Sequence, residues 1–312
     1  MNMPATTLDR IAEQAPAMTE AQRNWRIAAI ALLSIRVIQG FIYWGGGSRR
    51  FIYAPSKLDP SAHSWMANKF QTARPGALLG TDHLISFLLT HFYLLYAGVI
   101  LFSAAELIVG AMLVTGLLIR LAALFSMGFS VLLMLMFGWQ GATCIDEWTM
   151  AACNLAMGAS LLLAGSGAYS LDNVLLRRKP VLAERQWFRW ASGSLPLPQT
   201  DGGFRTLAFA VLAFVVIFDV GTYNYYRGSV LTPFHSGPVS PTKHHLTLSQ
   251  AELLPDGSVR FHVYLDAGTP EAPAHVVAAD LLNSEKHPVA DWDAGVPASR
   301  DRKSTRLNSS HT

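Results

Sequence analysis

The sequence predicts an all-α membrane helical bundle, a four-helix core plus a fifth transmembrane helix, followed by a truncated β-sandwich-like outer domain. Three observations carry this. Charged residues make up 14% of the 312, against about 25% in a typical soluble protein. Between Ile27 and Leu171 long apolar runs alternate with short charged connectors. After Tyr226 the helical pattern gives way to period-two alternation around a turn signal. The net charge of +3 is too small to indicate nucleic acid, and Lys and Arg cluster beside apolar runs, a membrane pattern.

A crossing needs about 20 mainly apolar residues. The first 24 residues read as a polar cytoplasmic segment, without a cleavable signal peptide. Span one is Ile27 to Gly46, ended by Gly45-Gly46-Gly47, and a polar connector runs from Ser48 to His83. Leu84 to Phe92 reads as an interfacial lead-in to span two, Tyr93 to Leu118. Span three is Leu121 to Gly138 and span four Trp148 to Ala168, and together residues 25–180 form the four-helix domain. A basic connector, 181–204, leads to the fifth helix, 205–226. Counting back from this connector by the positive-inside rule places the N-terminus in the cytoplasm and residues 227–299 outside a bacterial-type inner membrane. The first outside loop, with Arg49, Arg50, Lys57, Lys69 and Arg74, runs against that rule.

In the outer segment, 246–254 and 259–265 read as strands joined by Pro255-Asp256-Gly257-Ser258, with a third from His275 to Leu282. Asp301 to His311, DRKSTRLNSSH, differs in character from all that precedes it. Residues 300–312 read as translated sequencing-adapter DNA joined to a broken gene fragment, which makes the β domain a truncated one.

Charges inside spans face the bundle and pair, so Arg36 of span one and Glu106 of span two are the natural pair. They form an anion or proton site, or an ion pair that only sets helix register. Gly45 to Arg50 combines exposed amides with Arg49 and Arg50, which suits a small dianion such as a sulfur oxyanion, or lipid headgroups. His91 is a proton relay or an interfacial structural residue. Cys144 is a candidate redox thiol whose neighbours Asp146 and Glu147 raise its pKa, while Cys153 reads as plain packing. Gly98, Gly110, Gly116, Gly128 and Gly158 read as points of close helix approach. His235, His244, His245 and His262 have no compact metal-ligand spacing. No metal, haem or flavin motif is evident.

Taken together, SIRVIQGFIYWGGGSRR and SAAELIVGAMLVTGLLIRLAAL, with Arg36, Glu106, Gly110, Gly116 and Arg120, resemble the DoxD family, the membrane part of thiosulfate:quinone oxidoreductase within the DoxX-like group. The likeness covers residues 25 to 180. TPFHSGPVSPTKHHLTLSQAELLPDGSVRFHVYLDAG resembles the start of a DoxA domain fused behind it. The resemblance implies oxidation of thiosulfate to tetrathionate, with membrane quinone as electron acceptor. Arg36, Glu106 and His91 would then be catalytic, and Arg49 and Arg50 substrate-binding, in an oligomer or a respiratory complex. The alternatives are a non-catalytic anchor or assembly subunit, and a sulfur-oxyanion transporter.

Overall fold

The computed structural model describes residues 19–53, 55–60, 62, 65–140, 146–233, 245–255, 259–267 and 278–293. Among the described residues four helices are long and apolar enough to cross a membrane: Glu20–Ile52, Phe92–Thr115, Ile119–Phe137 and Asp201–Arg227. The chain is read here as a multi-pass membrane protein.

The first of these comprises α1 (Glu20–Ala31), α2 (Leu33–Ser48) and a π-helical turn, Arg49–Tyr53. Thr19 starts α1 with a reciprocal capping box to Gln22. The triple glycine does not end the helix, as the sequence reading expected. A Cβ on Gly47 would collide with the Leu107 backbone, so Gly47 sits in a close helix contact, and packing there overrides the weak helix propensity of glycine, while Gly45 has open space. At 33 residues and a rise of about 1.5 Å each, the segment outruns a hydrocarbon core of about 30 Å.

The expected polar connector is largely helical. It holds α3 (Met66–Ala73), two 3-10 turns and α4 (Thr81–Thr90). α5 (Phe92–Thr115) follows after a break at His91, which agrees with the expected lead-in and span two. Next come α6 (Ile119–Phe137) and α7 (Asp146–Ala164). α7, the expected span four, is 19 residues long but does not join the four most apolar helices. The connector then forms α8 (Leu171–Arg178), a 3-10 turn and α9 (Gln186–Ala191), before the apolar α10 (Asp201–Arg227).

The strands are β1 (His245–Leu253), β2 (Val259–Ala267), β3 (Ala278–Leu282) and β4 (Pro288–Asp293). Among the described residues they make two separate two-stranded antiparallel sheets, β1–β2 and β3–β4, where a sandwich was expected. In the register of the first hairpin Leu246 pairs with Leu265 and Leu248 with Val263. The expected turn 256–258, His235, His244, Cys144 and residues 294–312 lie outside the described residues.

Contacts divide the chain into two units. One comprises Met1–Gly47, Ala105–Met127 and Asn154–Ala213, the other Ser48–Ala104, Gly128–Cys153 and Phe214–Thr312.

In the first unit α2 runs antiparallel to α5. Gly40 meets Val114, and Gly110 meets the Trp44 backbone so closely that no Cβ fits. α7 runs antiparallel to α6: Arg120 Nε donates to the Leu162 carbonyl at 3.0 Å, and Gly158 lies against Ser126 and Met127. In the second unit, Trp139 lies against Gly76 and donates to the Ala73 carbonyl at 2.9 Å. Tyr226 donates to the Met134 carbonyl at 3.1 Å, so α10 is tied to α6 there.

Candidate functional site

Two polar assemblies stand out, one in each unit. The first closes one end of the helices. Arg36 is 2% exposed. Its guanidinium donates to the Ser166 carbonyl, to Ala168 O at 2.9 Å and to Tyr169 O at 3.3 Å. These carbonyls belong to the loop after α7, where the chain leaves its helix and backbone acceptors lack helical partners. Arg36 therefore lies level with the helix ends at Gly116 and Gly165, not in the body of a span.

Arg120, 1% exposed, does the same for the connector. It donates to Leu162 O, to Ser192 O, to Leu195 O at 2.8 Å and to Arg189 O at 3.3 Å. Its guanidinium also sits 5.9 Å from the centroid of the Trp25 ring.

Asp172 acts electrostatically on both arginines. It is fully buried in the first turn of α8, which Ser170 caps. Oδ1 accepts from Leu118 N at 2.9 Å and Oδ2 from Gly193 N at 3.3 Å. One carboxylate thus staples three loops beneath two guanidinium groups.

Sequence reasoning passed over Asp172. Its signal was present in Ser170-Leu171-Asp172, a capping residue with an acid in the first helical turn. Gly116 completes the turn with φ +73°, and a Cβ there would lie 3.1 Å from Arg36 Nη1 and closer still to Ser170. A left-handed residue facing two side chains admits only glycine.

The expected Arg36–Glu106 pair is not made. The Arg36 guanidinium goes to backbone carbonyls, and Glu106 faces Gly46, with Oε2 3.5 Å from the position a Cβ would take there. Ten residues of helix separate Arg36 from Gly46, about 15 Å.

Between the two positions α2 carries a buried polar stripe. Gln39 Nε2 donates to Asn154 O at 2.8 Å and to Ser126 Oγ at 3.3 Å, and the Tyr43 hydroxyl donates to Ser126 O at 2.9 Å.

The second assembly is basic. Arg49, Arg50, Lys57 and Lys69 come close enough to interact. Burial, then Arg50, Lys69 and Arg49, push the Lys57 ammonium below its ordinary value, with Glu147 opposing. Lys69 pairs with Glu147, and its ammonium lies 5.1 Å from the centroid of the Phe137 ring. Arg49 is exposed and Arg50 half-buried. The sequence reading named the two arginines as the anion site. The structure adds Lys57 and Lys69 from the following turn and helix.

His91 is exposed at the break between α4 and α5, with its ring 4.3 Å from that of Phe87. Nδ1 lies 2.8 Å from the Phe87 carbonyl. A carbonyl only accepts, so Nδ1 carries the proton and Nε2 is the basic nitrogen. Cys153, expected as plain packing, is a free, exposed thiol on α7. Among the described residues no three His, Cys, Asp or Glu side chains converge as a metal site.

Residues 31–197, more than half of the chain, match the family model described as TQO small subunit DoxD. The chain belongs to the DoxD family. DoxD is a subunit of thiosulfate:quinone oxidoreductase, a complex with quinone as its electron acceptor, and membership implies that role. The DoxD match takes in Arg36, the basic turn, His91, Glu106, Arg120 and Asp172, and stops before α10 and the strands. The DoxA likeness of the outer segment finds no support from it. No solved structure matches the chain.

Proposed function

We propose that this DoxD chain oxidises thiosulfate to tetrathionate and passes the electrons to membrane quinone, with the basic turn as the thiosulfate site. Two thiosulfate dianions and one quinone, with two protons taken up, give one tetrathionate dianion and one quinol. A sulfur–sulfur bond forms, sulfur loses two electrons and the quinone gains them.

Joining two dianions is opposed by their repulsion. Two unit charges at 4 Å interact by about 1 kcal/mol in water, so two dianions repel by about 4 kcal/mol. The observation that carries the proposal is the mutual electrostatic reach of Arg50, Lys69 and Arg49 on Lys57. The clustered positive charge offsets part of that repulsion, and the arginines offer forked donors to oxyanions.

Glu106 and His91 are proposed to handle the two protons. Arg36 is proposed as a positioning residue, since its donors are used on backbone carbonyls. α7, packed antiparallel on α6, is read as a further crossing, which keeps the basic turn outside and the α8–α9 connector in the cytoplasm.

The test is thiosulfate-dependent reduction of a soluble quinone analogue by membranes carrying the protein, with tetrathionate measured alongside. Matched quinol and tetrathionate support the proposal. Absence of both with abundant folded protein favours the second reading, a non-catalytic anchor subunit. One observation favours that reading: Arg36 and Arg120 are both used on loop carbonyls.

A further inference from the structure

A cavity of about 710 Å³ opens in the first unit between α1 and the start of α8. Its wall includes Thr115, the last residue of α5, and Gly167 and Ser194 from the loops that close the helix ends. It therefore lies where apolar spans give way to basic connectors. Arg26 of α1 and Arg177 of α8 both line it. Ser170 and Asn173 add polar groups at the N-terminal turn of α8, where the helix dipole favours an anion.

The remaining wall is apolar. Ile30, Leu171 and Val174 line the cavity and are also more than 40% exposed on its flanks. Trp25 forms one side and takes the buried Arg120 guanidinium against its ring. Behind the wall stand two buried arginines and a single carboxylate, Asp172. The position, charge and greasy rim of this cavity suit one occupant.

We propose that the cavity between α1 and α8 binds the headgroup of an anionic phospholipid. The phosphate lies between Arg26 and Arg177, and the acyl chains descend over Ile30, Leu171 and Val174. Bulk surface attraction would act on any arginine of the connector. This site requires the two that line the cavity. Occupancy also holds Trp25 in place and so steadies the Arg120 cluster behind it.

The experiment compares the purified full chain in phosphatidylcholine nanodiscs with and without phosphatidylglycerol. Native mass spectrometry reads retained lipid, and thermal unfolding reads stability. Phosphatidylglycerol is expected to be retained and to raise the unfolding midpoint. The double variant Arg26→Gln/Arg177→Gln loses retention on the order of 30-fold, from about 1 kcal/mol for each of the two basic residues at a surface. Arg26→Lys/Arg177→Lys keeps it, as does Arg178→Gln/Lys179→Gln, whose side chains lie outside the cavity. Equal loss in the last variant would mean general surface attraction and overturn the site. A matching stabilisation by inorganic phosphate alone would mean a free-anion site and overturn the lipid assignment. Displacement of the lipid by a quinone analogue would overturn it in favour of a quinone pocket.

Discussion

Asp172 shows how much one side chain can hold. Its two oxygens take the amides of Leu118 and Gly193, and its charge is the acidic partner for Arg36 and Arg120. Asp172→Asn keeps the shape but sets an amide N–H against the Gly193 N–H and removes the negative charge. Breaking such a buried set costs about 3 to 5 kcal/mol, so the unfolding midpoint in lipid should fall sharply. An unchanged midpoint would show that the cluster does not hold the helix ends together.

Lys57 makes a second prediction at this scale, in pH. Its ammonium is held low by burial and by three cations, and a bound thiosulfate dianion relieves that repulsion. Binding therefore favours the charged form, and affinity falls as pH rises through the depressed value, below the ordinary lysine range near about 10.4. KM for thiosulfate should climb over that window in the parent protein. Lys57→Arg stays charged and should flatten the rise, whereas a KM profile identical in the two would remove Lys57 from the site.

At the scale of elements, helix contact separates the glycines that matter from those that do not. Gly110 lies against the Trp44 backbone and Gly158 against Ser126 and Met127, while Gly98 and Gly128 have open space where a Cβ would go. Gly110→Ala should drive α2 from α5, because both clashing partners are backbone and neither can rotate away. Gly128→Ala should be neutral. Thermal unfolding of the two variants side by side checks the contrast.

The sequence showed all five as small residues in apolar runs, and composition cannot say which face of a helix each occupies. The same limit explains Arg36. A charge within an apolar run was read as mid-membrane, but the helix extends beyond its neighbours, and adjacent helices set its depth. The apolar runs themselves were legible because hydrophobicity over 19 or more residues needs no partner. The staple made by Asp172 was not, since it joins residues 54 positions apart.

For the molecule as a whole, the decisive question is which end faces which compartment. The family assignment and the apolar helices follow from long, unbroken sequence signals. Orientation rests on a charge count that the basic turn itself opposes. In a cysteine-free variant, a single cysteine at Lys69 should react with an impermeant thiol reagent added outside intact cells. One at Arg177 should react only after the membrane is opened. The reverse pattern would place the basic turn in the cytoplasm and rule out capture of external thiosulfate there.

The Arg36 guanidinium also sets an order of events during synthesis. Its acceptors, the carbonyls of Ser166 and Ala168, lie 130 and 132 residues further along the chain. When the first helix leaves the ribosome those acceptors do not yet exist, and the guanidinium must instead be met by water or headgroups at the membrane interface. Its final partners are supplied only once α7 and its loop have been made. A chain stopped before Ser166 would therefore lack the carbonyls that hold Arg36 in the finished protein, and its first helix would stay untied at that end.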